Sequence, residues 1–110
     1  MRESPIFART YDLLRWLIPA TVKFPRHQRF VLADAVQRTA LGFQERLIEA
    51  ARADRPLPHL QRADTELAKL RTYLRLCCDL RFLSVGQYEH VSRLVAEAGR
   101  LLGGWIKSVS

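Results

Sequence analysis

Arginine is the residue type through which this chain can do chemistry. Fifteen of its 18 lysines and arginines are arginine, the exceptions being Lys23, Lys69 and Lys107. In "LRTYLRLCC", Arg71 and Arg75 stand four positions apart, which places both on one helix face with Tyr73 to the side. Like charges at this spacing repel by a few tenths of a kcal/mol. Asp79, four beyond Arg75, can satisfy one guanidinium; the other is left for an external anion or for an acid on another helix. Arg93, Arg100 and Lys107 recur every seven residues, a cationic line along a helix. Glu89 and Glu97 flank Arg93 at four-residue spacing and make most of its charge internal to that helix. A third group, Lys23, Arg26, His27 and Arg29 in "KFPRHQR", sits where one helix hands over to the next, a position suited to phosphate. Each group also has a plain structural reading, as a solvated face, an interhelical ion pair or a polar turn. Spacing leaves both readings open.

Other chemistries lack their parts. There is no phosphate-cradling glycine loop, no recognisable carboxylate pair and no Ser/His/Asp arrangement. His27, His59 and His90 are far apart and read as surface or cap residues, with no companions at metal-ligand spacing. Cys77 and Cys78 are adjacent, a spacing at which a helix points the two thiols apart, so they read as a reduced structural pair. The sequence therefore predicts no enzyme, no metal and no cofactor. A net charge of +7 suits phosphate-rich partners or an acidic protein surface. Arginine adds bidentate, stacking contacts to that attraction. A GC-rich coding sequence accounts for part of the Arg:Lys ratio but not for the excess over 11 acids. Near the N-terminus Arg9, Asp12 and Arg15 interrupt the apolar residues, and the run "WLIPATV" is far too short to span a bilayer. A cytoplasmic protein with no membrane partner is expected.

These side chains must be positioned by helices. The 110 residues are 48% hydrophobic, enough for one core, and are expected to form a single domain over residues 1–110. Four segments read as helices, at about 5–22, 27–53, 60–82 and 85–108. Pro5 suits a first turn, and Pro19 is expected to kink or end the first helix. The second carries Phe30, Ala33, Val36, Ala40, Phe43, Leu47 and Ala50 at steps of three and four. The third aligns Leu60, Ala63, Leu67, Leu70, Leu74 and Cys77. The fourth opens on "SVGQ", a capping box, and continues through Tyr88, Val91, Val95, Ala98, Leu102, Trp105 and Val109. Short breaks make neighbours antiparallel, so the expected fold is an all-α up-down-up-down four-helix bundle.

More apolar surface is present than one core can use. Leu41 and Ile48, Leu76 and Leu80, and Leu94, Leu101 and Ile106 exceed the three positions in seven that a bundle buries, which suggests a second interface. Gly103 and Gly104 interrupt the last helix just before Trp105. Either they end it, as glycine often does, or a neighbouring backbone needs them small, with Trp105 and Leu101 packed beside them.

Three stretches together resemble a known family: "YDLLRWLIPATVKFPRHQRF" with its turn at Phe24, Pro25 and Arg26, "LRTYLRL", and "GRLLGGWIKS". The chain resembles the Avd family, the accessory variability determinants of diversity-generating retroelements, related to the four-helix-bundle proteins encoded in ribosomal RNA intervening sequences. The resemblance implies a barrel-shaped homopentamer with a basic surface that binds the element's reverse transcriptase and its template RNA, in support of error-prone cDNA synthesis and mutagenic retrohoming. By position it assigns polymerase or nucleic-acid contacts to Arg71, Arg75 and Arg26. It assigns Gly103, Gly104 and Trp105 to packing between copies. Nucleic-acid contacts through a basic C-terminal tail, as in some relatives, are not expected. Two alternatives remain: an intervening-sequence-type bundle with an RNA link but no polymerase, and an adaptor whose basic face meets an acidic protein. A small helical enzyme is a third and weaker one.

Overall fold

The computed structural model describes residues 4–110, with the side chains of residues 28–30 outside the description. Four helices follow one another: α1 (Pro5–Val22), α2 (Asp34–Arg52), α3 (Leu57–Asp79) and α4 (Val85–Val109), and no strand occurs among the described residues. The α2–α3 contact is the most extensive, and α1–α2, α3–α4 and α1–α4 contacts close the ring. This is the expected antiparallel four-helix bundle, 43 Å long and 23 Å across. The α1–α2 and α3–α4 turns share one pole. The start of α1, the end of α4 and the α2–α3 turn share the other.

The helical stripes bury as their spacing dictates. Leu60, Ala63, Leu67, Leu70, Leu74 and Cys77 of α3 meet Val36, Ala40, Phe43, Leu47 and Ala50 of α2 in one continuous core. Val91, Val95, Ala98 and Leu102 complete it from α4, and Ile6, Leu13 and Leu17 from α1. Tyr88 and Trp105 are half-buried and Val109 is exposed, so the last heptad positions serve the rim. Phe30, expected in the α2 stripe, falls outside the described side chains. One polar clasp joins α1 to α2: Gln37 Nε2 donates to the buried Thr21 Oγ1 at 2.7 Å, and that hydroxyl donates to the Ile18 carbonyl at 2.8 Å.

The boundaries of α2 and α3 differ from the sequence reading, whereas α1 spans the expected residues 5–22 with Pro19 inside it. The proline is exposed, so the carbonyl it deprives of a partner can turn to water. In place of an α-helix from His27, a 3-10 turn (Arg26–Gln28) and a π turn (Arg29–Ala33) precede α2. Conversely, α3 begins at Leu57, ahead of the expected Leu60, because Pro58 lies in the first turn, where no backbone donor is needed. Gly103 and Gly104 do not terminate α4, which runs on through both to Val109.

The α3–α4 turn is tightly specified. Phe82 N–H donates to the Cys77 carbonyl at 2.8 Å and Arg81 N–H to that of Cys78 at 3.0 Å, which closes α3 in a Schellman arrangement three residues short of the expected Phe82. That motif needs a left-handed residue, and Arg81 supplies it with φ 67°. Glycine is the usual occupant; a side chain there costs roughly 1 kcal/mol. Immediately after it the capping box forms: Gln87 N–H donates to Ser84 Oγ at 3.1 Å and Ser84 N–H to Gln87 Oε1 at 2.9 Å. Phe82 leans on Phe24 of the other turn, ring centroids 5.6 Å apart.

Burial pushes the Cys77 thiol up to about 11 from 9.0. Cys77 should resist iodoacetamide in the native protein and be labelled only after unfolding, as read by peptide mass. Its folded value lies above its unfolded one, so the stability it contributes is complete below pH 9.0 and is lost as pH rises toward about 11. Urea unfolding of the wild type and of Cys77→Ala should therefore differ most below that window and converge across it.

Candidate nucleic-acid interface

The bundle divides its cations into those its own carboxylates hold and those they do not. Every Arg or Lys ion pair among the described residues lies within one helix: Arg9–Asp12, Arg38–Asp34, Arg46–Glu49, Lys69–Glu66 and Arg100–Glu97. The carboxylate of Glu97 takes both Nε (3.1 Å) and Nη2 (2.6 Å) of Arg100. That hydrogen-bonded pairing holds the Glu97 carboxyl below the usual carboxylate range and raises Arg100. Glu97 is thus committed to Arg100 and not to Arg93, the reverse of the sequence reading. The i,i+3 geometry gives a two-pronged contact that Arg93, four residues before Glu97, does not obtain. Arg93 and Lys107 are exposed, with no carboxylate of the described residues within 4.0 Å, so two of the three members of the α4 line are free.

Arg75 and Asp79 also fail to pair, although their spacing permits it; both are exposed. Arg71 behaves differently from its neighbour. Its Nη2 lies over Gly99 of α4, where an added Cβ would come within 2.6 Å of it. The missing side chain at Gly99 lets the guanidinium cross from α3 onto the α4 backbone. It borders a groove of about 200 Å³ lined also by Leu74, Tyr88, Ser92, Val95 and Ala96. This pairs an unneutralised cation with two hydroxyl-bearing side chains in one shallow cleft, an arrangement that can receive a phosphate or carboxylate.

The remaining basic group occupies the turn pole. Lys23, Arg26 and His27 are exposed there, and the Phe24–Phe82 contact brings Arg81 to the same pole. None of Lys23, Arg26 and Arg81 has an ion-pair partner among the described residues, and the side chain of Arg29 lies outside them. Val22, Val31, Leu80 and Val85, on the same turns and adjoining helix ends, are also exposed. The sequence reading missed Arg81 because helix ends are ordinarily found through glycine, and "DLRFLS" has none. It also missed Gly99, whose role depends on a side chain from another helix. The structure does not gather all predicted residues into one site. Arg71 and Arg75 lie on the α3 side of the α3–α4 face, Arg93 on the exposed face of α4, Lys23 and Arg26 at the turn pole, and Lys107 toward the opposite pole.

The expected contact residues between copies are placed as follows. Gly103 and Gly104 are exposed, with nothing within 4 Å of where a Cβ would stand. Trp105 is half-buried, edge-on to Phe7 at 6.2 Å, and Leu101 is half-buried against the core. Leu94 and Ile106 are likewise drawn onto the core, whereas Leu41, Ile48, Leu76 and Leu80 stay exposed, together with Tyr11 at 61%. Among the described residues no group of His, Cys, Asp and Glu could hold a metal ion, and no helix is long and apolar enough to cross a membrane.

A protein-family model described as bAvd-like matches residues 6–109, nearly the whole chain. The resemblance drawn from the three sequence stretches is thereby borne out at the level of the family. No curated protein matches the chain.

Because Gly103 and Gly104 face open space within the protomer, Gly103→Ala and Gly104→Ala should each stabilise α4 by up to about 1 kcal/mol. Thermal unfolding at low protein concentration checks this, and a loss of stability would place unseen packing at those positions.

Proposed function

We propose, because the chain belongs to the bAvd-like family, that it is a non-enzymatic accessory protein of a diversity-generating retroelement. In this reading it acts in the cytoplasm, binds the element's reverse transcriptase and its template RNA or cDNA, and supports mutagenic retrohoming. The observation that supports the reading is the surplus of guanidinium groups that no carboxylate of the described residues neutralises, Arg71, Arg75 and Arg93 foremost. Phosphate contacts by such groups release counterions, so affinity falls steeply with salt.

Self-assembly belongs to the same reading. Tyr11, Leu41 and Ile48 leave apolar surface on α1 and α2, and Gly103 and Gly104 leave α4 open to close approach. A ring of copies, five as the family implies, covers that surface and repeats each weak basic patch, which multiplies avidity.

The wild-type protein should bind a labelled single-stranded RNA, more tightly at about 50 mM than at about 200 mM salt, and light scattering should give the mass of an oligomer. Arg71→Ala combined with Arg75→Ala should keep the unfolding midpoint, since both side chains are exposed, and should lose co-purification with a co-expressed reverse transcriptase of the same element. A monomeric mass would end the assembly reading; absence of RNA binding at low salt would end the nucleic-acid one.

A further inference from the structure

At the turn pole the fold holds a cation in a conformation that only glycine adopts without strain. Arg81 is the one non-glycine residue of positive φ among those described, and it is exposed. Its backbone closes α3 through the Arg81–Cys78 and Phe82–Cys77 hydrogen bonds, and glycine would make the same two bonds. A side chain in this conformation is therefore a structural disadvantage, and strain of this kind points to a use for the side chain. Attraction to the negative end of the α3 dipole does not explain it. A cation at position 80, where φ is −86°, would serve the dipole without strain, but Leu80 stands there, and the last turn of α3 contains no basic residue. Nor does an internal ion pair explain it, since no described carboxylate lies within 4.0 Å of the guanidinium.

We infer that Arg81 is a nucleic-acid contact, binding the phosphodiester backbone of single-stranded RNA together with Lys23 and Arg26. The Phe24–Phe82 contact, at 5.6 Å, fixes the two turns against each other, so Lys23 and Arg26 of one turn share a pole with Arg81 of the other. A phosphate backbone suits the site better than an acidic protein patch. Arginine engages phosphate bidentately and its planar guanidinium also stacks on bases, and single-stranded RNA offers both contacts together whereas a carboxylate patch offers only the first. Val22 at the end of α1 and Val85 at the start of α4 are exposed and offer apolar surface to sugars and bases. This inference rests on the RNA-binding reading above and adds to it a residue and a pole.

The test sets stability against binding. Arg81→Gly, Arg81→Lys and the charge control Arg46→Ala are compared with the wild type by thermal unfolding and by titration of a fluorescent single-stranded RNA of about 20 nucleotides over a salt series. Arg81→Gly should raise the midpoint by about 4 °C while weakening RNA binding roughly fivefold. Loss of one phosphate contact should also flatten the salt dependence by about 0.7 in log–log slope. Arg81→Lys should retain most of the affinity. Arg46→Ala, which removes the same charge from the Glu49 pair, should leave the slope unchanged. If Arg81→Gly binds as the wild type does, or loses no more than Arg46→Ala, the inference is overturned and the RNA-binding reading stands. A fall in the midpoint of Arg81→Gly would show Arg81 to be structural, which overturns it equally. Unchanged RNA binding with loss of the reverse transcriptase would reassign the pole to an acidic protein surface. Failure of the wild type to bind RNA at low salt would remove the parent reading and this one together.

Discussion

Burial of one leucine-rich core, shared by all four helices, is the constraint on which everything else in the bundle depends. Among the described residues almost nothing polar crosses between helices. The Gln37–Thr21 hydrogen bond links α1 to α2, and His59 approaches Glu49 at 3.9 Å; the described ion pairs of Arg and Lys are all local to a single helix. Exposed pairs of this kind contribute at most a few tenths of a kcal/mol each, whereas each buried leucine contributes several-fold more. Cohesion therefore resides in Leu13, Leu47, Leu67, Leu74 and their neighbours, and the arginines are left free of structural duty. A surface decoupled from the core in this way can carry a strong positive field without the fold depending on it.

That decoupling explains which parts of the molecule were legible in the sequence. Apolar spacing gave the four helices, their antiparallel order and nearly every buried side chain of α3, because burial is the term that decides the fold. The capping box at Ser84 was legible because it is a local motif whose two bonds lie within four residues. The start of α3 was misjudged at a proline, whereas α1 was placed correctly through one. Pro19 is tolerated because it faces water, and Pro58 because it falls in a first turn, and neither circumstance is written in the dipeptide. The start of α2 was misplaced because the 3-10 and π turns carry the same apolar spacing as an α-helix over so short a run.

The site was less legible than the fold, for a related reason. Helical spacing says which charges can meet but not which of two competitors will. Glu97 can reach toward Arg93 or Arg100, and rotamer geometry decides for Arg100. Arg75 has Asp79 within reach and does not take it. Arg71 depends on Gly99, a residue on another helix, so no pattern within α3 could have revealed its direction. Arg81 has no sequence signature, since the left-handed position it fills is normally announced by glycine. The sequence thus marked the basic regions correctly as classes of surface. Local competition, interhelical contact and backbone strain distinguished their members.

The edge-on contact of Phe7 with Trp105 ties the first turn of α1 to the last turns of α4, at the pole remote from Lys23, Arg26 and Arg81. A dye or biotin carried on a cysteine introduced at Ser4 or Ser108 consequently sits on the far side of the bundle from those three cations. Tethering the molecule to a sensor chip through such a position leaves the basic cap of the cylinder pointing into solution.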